Sequence, residues 1–420
     1  MGLLKFLIYF VMCHVIVSNV YAKNEEYTGF KVYNVKLETE EQQYKFEILK
    51  SDVIGYWRKP SVKFNITGQA MVPPSHFKWF EEKLTELGVA KDISIEDVFE
   101  YLSWKEEVAE KILRNEEDKM FSFDDYYRYN DILNYIRTLE TAHENSTDIN
   151  FKVIDAGLTA EGRPLIYIKV TSQAATSEKP IIIIEAGINP REWITIPTSL
   201  NIVNKLLDQS YNKFINNFEW IIIPVLNPDG YEYTHTNLRL WTKSRSIQSH
   251  LGAICPGVNI NRNFDVDWLS FDSSSSPCSH IYGGPEAFSE VETRLIKSLL
   301  DSNEKRIRLY VSLQNNGGFI SYPWQYERAA SGMFVQQHLL GLSMIEAMQE
   351  HYNLGVSSEV YGDRASGTST DFMRKNGVLY TFNIDIVPRS EDSVIIPREE
   401  ITTIAEDVWR AVSVAADNLL

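Results

Sequence analysis

Five apolar runs punctuate the chain after residue 160: PLIYIKV (164–170), PIIIIEA (180–186), EWIIIPVL (219–226), IRLYVSL (307–313) and LYTFNIDI (379–386). Several are continuous rather than alternating, as expected of strands buried on both faces of a parallel sheet. Helix-patterned stretches lie between and after them. SEVETRLIKSLLDS (289–302) opens with Ser289 and Glu292 at capping-box spacing. GMFVQQHLLGLSMIEAMQEHY (332–352) and EEITTIAEDVWRAVSVAADNLL (399–420) carry longer apolar faces. The alternation predicts an α/β fold from about residue 120 onward, a mixed, mostly parallel sheet flanked by helices.

The pattern is different before that point. FKVYNVKL (30–37) and SVKFNITGQAMV (61–72) alternate like half-buried strands, and SHFKWFEEKLTELG (75–88) reads as a helix ending on Gly88. This predicts a separate small α+β unit over 23–114, followed by the larger unit over 115–420. WKEEVAEKILRNEEDK (104–119) is charged and helix-prone, with Lys111, Arg114 and Lys119 as candidate proteolytic sites.

Residues 1–22 have the pattern of a secretory signal peptide. Lys5 precedes an apolar run, Phe6 to Val17, and Val20-Tyr21-Ala22 supplies the cleavage-type ending. The run is shorter than the roughly 20 residues a membrane span requires. Secretion leaves Cys255 and Cys278 as one possible disulfide in an oxidising compartment, and makes Asn65 and Asn145 glycan acceptors. Net charge is −16 with no basic block, which excludes a nucleic-acid partner. A membrane partner is not expected either, and the chain reads as a monomer.

In sheets of this kind ligands sit outside the carboxyl ends of the strands. Three polar clusters fall there: Asn189 to Glu192, Gln314 to Asn316, and Asp385. The motifs around them are EGRPLIYIKV, GINPREWI, NPDGYEYTHTNLRLWTKSRS, GVNINRNFD, SSSSPCSHIYGGPEAFSEVE and ASGTSTDF. In this order and rough spacing the chain resembles the secreted zinc carboxypeptidases of the A/B type. The resemblance covers nearly everything after residue 22 and makes 23–114 an activation propeptide of open-sandwich form.

The resemblance implies a zinc held by two histidines and a glutamate, with water in the open position. It also implies a glutamate base, an oxyanion arginine, an Asn-Arg clamp on the substrate's terminal carboxylate and a capping tyrosine. Matched motif by motif, the zinc histidines fall on Asn189 and Gln314, and the glutamate ligand on Glu192. The oxyanion arginine falls on Thr242 and the catalytic glutamate on Asp385. The capping position is Asp363, with Tyr361 close by as the candidate cap, and the acidic support of the first histidine is Asn259.

Asn261 and Arg262 match the clamp, and Arg191 and Arg239 match further basic residues of the cleft. Thr370 matches the base of the side-chain pocket, where a small neutral residue goes with neutral rather than basic C-terminal residues. Cys255 and Cys278 match the family's bonded pair. None of the eight histidines lies in a His-x-x-Glu or His-x-x-x-His pattern that could replace the ligands.

Two amides and one carboxylate are a weak donor set, so zinc, the family's cofactor, is expected to be absent or weakly held. The resulting expectation is a secreted, catalytically impaired carboxypeptidase homologue. It would keep binding to peptide or protein C-termini, or to carboxypeptidase inhibitors. Two alternatives stay open: an active A-type enzyme with atypical ligands, and a structural or storage protein.

Overall fold

The computed structural model describes residues 22–49, 52–113, 121–173, 178–303, 305–315, 317–387 and 395–420. Residues 1–21 of the segment expected to be a signal peptide, Asn316 and the cleavage candidates Arg114 and Lys119 lie outside the described residues, as does the side chain of Lys111.

The N-terminal unit is built on four antiparallel strands: β1 (Lys31–Val35), β2 (Gly55–Arg58), β3 (Gly68–Val72) and β4 (Asp92–Ile95), in the order β2-β3-β1-β4. The period-2 alternation of β1 decides what packs where. Tyr33 and Val35 meet the helices Glu40–Glu47 and Phe77–Glu86 through Phe46, Phe80 and Leu84. Val32 faces the other way and joins Trp57, Met71, Val98 and Leu102. That second cluster also contains Leu238 and Leu240, so the two units share buried apolar surface. The SVKFNITGQAMV stretch is strand only in its second half. Its first half is a tight excursion closed by the Ser61–Ile66 bridge.

The second unit is an eight-stranded sheet. Its strands are β5 (Ile149–Leu158), β6 (Pro164–Ser172), β7 (Ile181–Glu185), β8 (Glu219–Ile223), β9 (Ile307–Asn315), β10 (Phe319–Tyr322), β11 (Asn353–Val356) and β12 (Tyr380–Ile386). Their order is β11-β10-β12-β9-β7-β8-β6-β5. The central run β12-β9-β7-β8 is parallel, while β5, β6 and β10 pair antiparallel at its flanks. The five apolar runs are all strands of this sheet. β5, β10 and β11 were not legible, because they are short or carry polar residues on one face.

The four isoleucines of β7 show why the central runs are continuous. Ile182 and Ile184 enter the larger core under the helices Thr195–Leu207, Phe334–Ala347 and Ile401–Asp417. Ile181 and Ile183 enter the opposite core, under Val291–Asn303 and Ser369–Lys375. Truncating any one of them to alanine leaves a cavity in the core, at a cost of roughly 2–5 kcal/mol.

The capping-box expectation at 289–292 is corrected. Glu292 is buried, and the Ser289 hydroxyl donates to Glu290 Oε1 (3.0 Å) while accepting from Asn263 Nδ2 (3.0 Å). Asn263 Oδ1 accepts from the Glu290 amide (3.2 Å). The Ser289 amide, which that spacing would pair with Glu292, donates instead to the Glu286 carbonyl (3.2 Å). Cys255 and Cys278 are disulfide-bonded.

Candidate functional site

Three adjacent parallel strands deliver the three polar clusters to one end of the sheet. β9 and β12 run in register, with Asp385 beside Gln314, and Glu185 of β7 beside Ser312. After β7 the chain turns at Gly187, whose φ of +66° and 3.1 Å approach to the Val225 Cα leave no room for a Cβ. The Thr195 hydroxyl holds this turn, accepting from the Gly187 amide (3.2 Å) and donating to the Glu192 carbonyl (2.8 Å). Asn189 and Glu192 thus reach the same cleft as Gln314 and Asp385, a cavity of about 170 Å³.

Within the cleft Asn189 and Glu192 bond to each other. Asn189 Nδ2 donates to Glu192 Oε1 (2.5 Å), and the Asn315 amide donates to Glu192 Oε2 (2.9 Å). Burial pushes the Glu192 carboxyl up to about 8, with Arg191 opposing and Asp385 adding to the rise. The Gln314 amide donates away from them, to Asn383 Oδ1 (3.0 Å) and Ser312 Oγ (3.2 Å). Thr242 and Asn259 both donate to the His280 carbonyl, at 3.0 and 3.2 Å. Burial lifts Asp385 to about 7, and its Oδ1 has no hydrogen-bond partner among the described residues. Tyr361 lines the same wall, edge-on to Phe319 at 5.9 Å.

The other end of the cleft is charged. Asn261 Oδ1 accepts from the Ser369 amide (3.0 Å). Arg262 faces the cavity, but its guanidinium is already engaged: Nη2 donates to Asp272 Oδ2 (2.7 Å) and Nε to the Asp272 carbonyl (2.7 Å). Lys59, from the end of β2, brings its ammonium to Asp272 Oδ2 (3.0 Å) and Asp363 Oδ2 (2.6 Å). Burial would raise the Asp272 carboxyl, but Lys59 and Arg262 outweigh it and hold it down at about 2. Burial likewise opposes the Lys59 ammonium, and the two aspartates overcome it and raise its pKa.

The N-terminal unit therefore forms one wall of the cleft. Tyr56, Trp57, Arg58 and Lys59 line it, and Arg191 Nη2 donates to the Tyr56 carbonyl (2.8 Å). Further out, Ser279 Oγ donates to Asp52 Oδ1 (2.6 Å) and Gln43 Nε2 to the Gly362 carbonyl (2.8 Å).

Two sequence expectations change here. Arg239 does not line the cleft. It is buried behind Arg191, donating to the Arg191 carbonyl (2.7 Å) and stacking on Trp193 at 3.8 Å. Thr370 is fully buried in the helix Ser369–Lys375, with its hydroxyl lacking a partner among the described residues, and is not among the cleft-lining residues. The residues sequence reasoning missed are Asp272, Arg58, Lys59 and His280. No local signal marks them, because each gains its role from a partner brought by another segment.

Comparison with known proteins agrees with this architecture. Residues 132–411 match the family model for zinc carboxypeptidase, and residues 33–103 match that for the carboxypeptidase activation peptide. The chain is 33% identical to a carboxypeptidase B of Helicoverpa zea, covering 98% of each sequence. It is 28% identical to zinc carboxypeptidase A 1 of Drosophila melanogaster, covering 97% of this chain and 96% of that one. The crystal structure of carboxypeptidase A from Helicoverpa armigera superposes with a TM-score of 0.85 at 27% identity, over 93% of this chain and 97% of that one. Bovine thrombin-activatable fibrinolysis inhibitor, solved in complex with tick carboxypeptidase inhibitor, matches with a TM-score of 0.65 at 28% identity, over 71% of this chain and 98% of that one. With its activation peptide folded over the cleft, the chain belongs to the zinc carboxypeptidase family.

Proposed function

We propose that this chain is a secreted, non-hydrolytic member of the family, whose cleft holds a peptide without cutting it. The observation that carries this reading is the Asn189–Glu192 hydrogen bond. Zinc sites of this kind are built from imidazole and carboxylate donors, each offering a lone pair to the metal. Here Asn189 turns its Nδ2 donor rather than a lone pair to Glu192, and Gln314 likewise engages its neighbours through Nε2. One buried carboxyl and two neutral amides do not fit zinc. Thr242, at the position matched to the oxyanion arginine, brings no charge, and its hydroxyl is committed to His280.

The chemistry left to the cleft is recognition. Asn261, Arg262, Arg191 and Tyr361 supply polar contacts, and proteolysis between the two units, at Lys111, Arg114 or Lys119, would expose them. Protein inhibitors that bind relatives of this chain are candidate occupants. The test is metal content and turnover of the purified protein. Less than 0.1 zinc per chain, and no release of a C-terminal residue from neutral or basic peptides with zinc added, is the expected result. Stoichiometric zinc overturns the reading.

A second reading, an enzyme with atypical ligands, draws on the buried, unpartnered Oδ1 of Asp385 in the cleft. It requires zinc-dependent cleavage that disappears in Asp385→Asn and in Glu192→Gln.

A further inference from the structure

The charges at the Asp272–Asp363 end of the cleft balance only while the propeptide is in place. Four carboxyl groups line the cleft, and burial holds two of them, Glu192 and Asp385, up at about 8 and about 7, leaving Asp272 and Asp363 as the ion-paired two. Four cations line it as well, but Arg58 and Lys59 are contributed by the propeptide, leaving Arg191 and Arg262 on the body of the protein. Without the propeptide wall Lys59 is gone, and the two carboxylates Asp272 and Asp363 face Arg262 alone. Arg262 is already paired with Asp272 at 2.7 Å. A carboxylate ligand would have to displace a buried aspartate from its arginine. A cation meets no such competitor.

We propose that Asp272 and Asp363 form an ammonium-binding subsite, filled by Lys59 in the covered protein and by a lysine side chain of a peptide ligand once the cleft opens. Two independent observations support it. The first is an ammonium already seated there: Lys59 Nζ lies 3.0 Å from Asp272 Oδ2 and 2.6 Å from Asp363 Oδ2. The second is the burial of the pair: the Asp272 side chain is 6% exposed and that of Asp363 21%, so removal of Lys59 uncovers carboxylates already taken out of water. The subsite is separate from Thr370, whose neutrality suggested a preference against basic residues. Asp272 reaches the cleft from the loop after Arg262, and Asp363 from the segment before the helix Ser369–Lys375. The propeptide thus occupies the cleft as a mimic of the ligand, and its basic pair is what a ligand has to replace.

This assignment names the ligand class for the peptide-holding cleft proposed above and rests on that reading. Its test reads neither zinc nor hydrolysis, so the two fail separately. In the intact chain, Lys59→Ala removes a four-carbon ammonium and leaves its place empty. Protonated n-butylamine, titrated at constant ionic strength, is expected to raise the Tm of Lys59→Ala saturably, by about 2 °C or more. Neutral 1-butanol should not do so, and wild type, with the place filled, should not respond. Adding Asp272→Asn to Lys59→Ala should abolish the response. An equal response to 1-butanol, or none to butylammonium, overturns the assignment.

A second measurement does not depend on the folding of Lys59→Ala. In Asp272→Asn/Asp363→Asn, acetylation of Lys59 by acetic anhydride, read by mass spectrometry, should accelerate at least tenfold over wild type. Lys63, which pairs elsewhere with Glu359 (2.6 Å), should keep its rate. An unchanged Lys59 rate also overturns the assignment.

Discussion

The two ends of the cleft satisfy their polar groups in opposite ways. At the end formed by β7, β9 and β12, Asn189, Glu192 and Gln314 are hydrogen-bonded to one another or to the sheet beneath them, within one unit of the protein. At the other end Arg262 and Asp272 form an ion pair that also takes in Lys59 of the propeptide. The first end makes its bonds within one unit and leaves two buried oxygens, Asn189 Oδ1 and Asp385 Oδ1, without partners among the described residues. The second is complete only with a cation supplied from outside. Amides beside a buried carboxyl make an end without an ion pair among the described residues, whereas two aspartates that share Lys59 make one that keeps a demand for a cation.

The comparison can be broken most forcefully at Asp272. Asp272→Ala leaves Arg262 and Lys59 facing each other with their shared carboxylate gone, and should cost about 3–5 kcal/mol in urea denaturation. The same residue predicts a pH signature. Its folded-state pKa is depressed to about 2, so its stabilisation is fully present above the ordinary value of 3.8 and is lost as pH falls through about 2. Asp272→Asn should flatten the stability profile between about pH 4 and pH 2, measured by thermal unfolding.

At the first end the effects should be smaller. Asn189→Ala removes one donor from Glu192 and should cost about 1–2 kcal/mol, with no change in the acid limb of the profile. The exposed pair Lys63–Glu359 joins the same two units but is well solvated. Lys63→Ala should change stability by about 0.5 kcal/mol or less. A loss there as large as that at Asp272 would erase the distinction between the two ends.

Much of the architecture was legible in advance. The four isoleucines of β7 and the runs of β8, β9 and β12 announce strands buried on both faces, and such strands end at a ligand site. The placement of Asn189, Glu192, Gln314 and Asp385 around one cleft follows from that rule together with the family motifs. β5, β10 and β11 were missed because a short or half-polar strand has no pattern distinct from loop. The Ser289–Glu292 spacing misled because the Ser289 hydroxyl is taken up by Asn263 and Glu290 instead. Arg239 misled for a related reason: a buried guanidinium can be held by stacking on Trp193 as well as by a substrate.

The sequence alone determined the residue types at the strand ends, because a chain position carries its chemistry whatever the fold. An amide at 189 and at 314 cannot become an imidazole. What only the tertiary structure decided is which charges meet. Lys59 and Asp363 lie far along the chain from Arg262 and Asp272, and no periodicity relates the four. Electrostatic partnership depends on distance and burial, and both are set by how the propeptide sheet docks over the cleft.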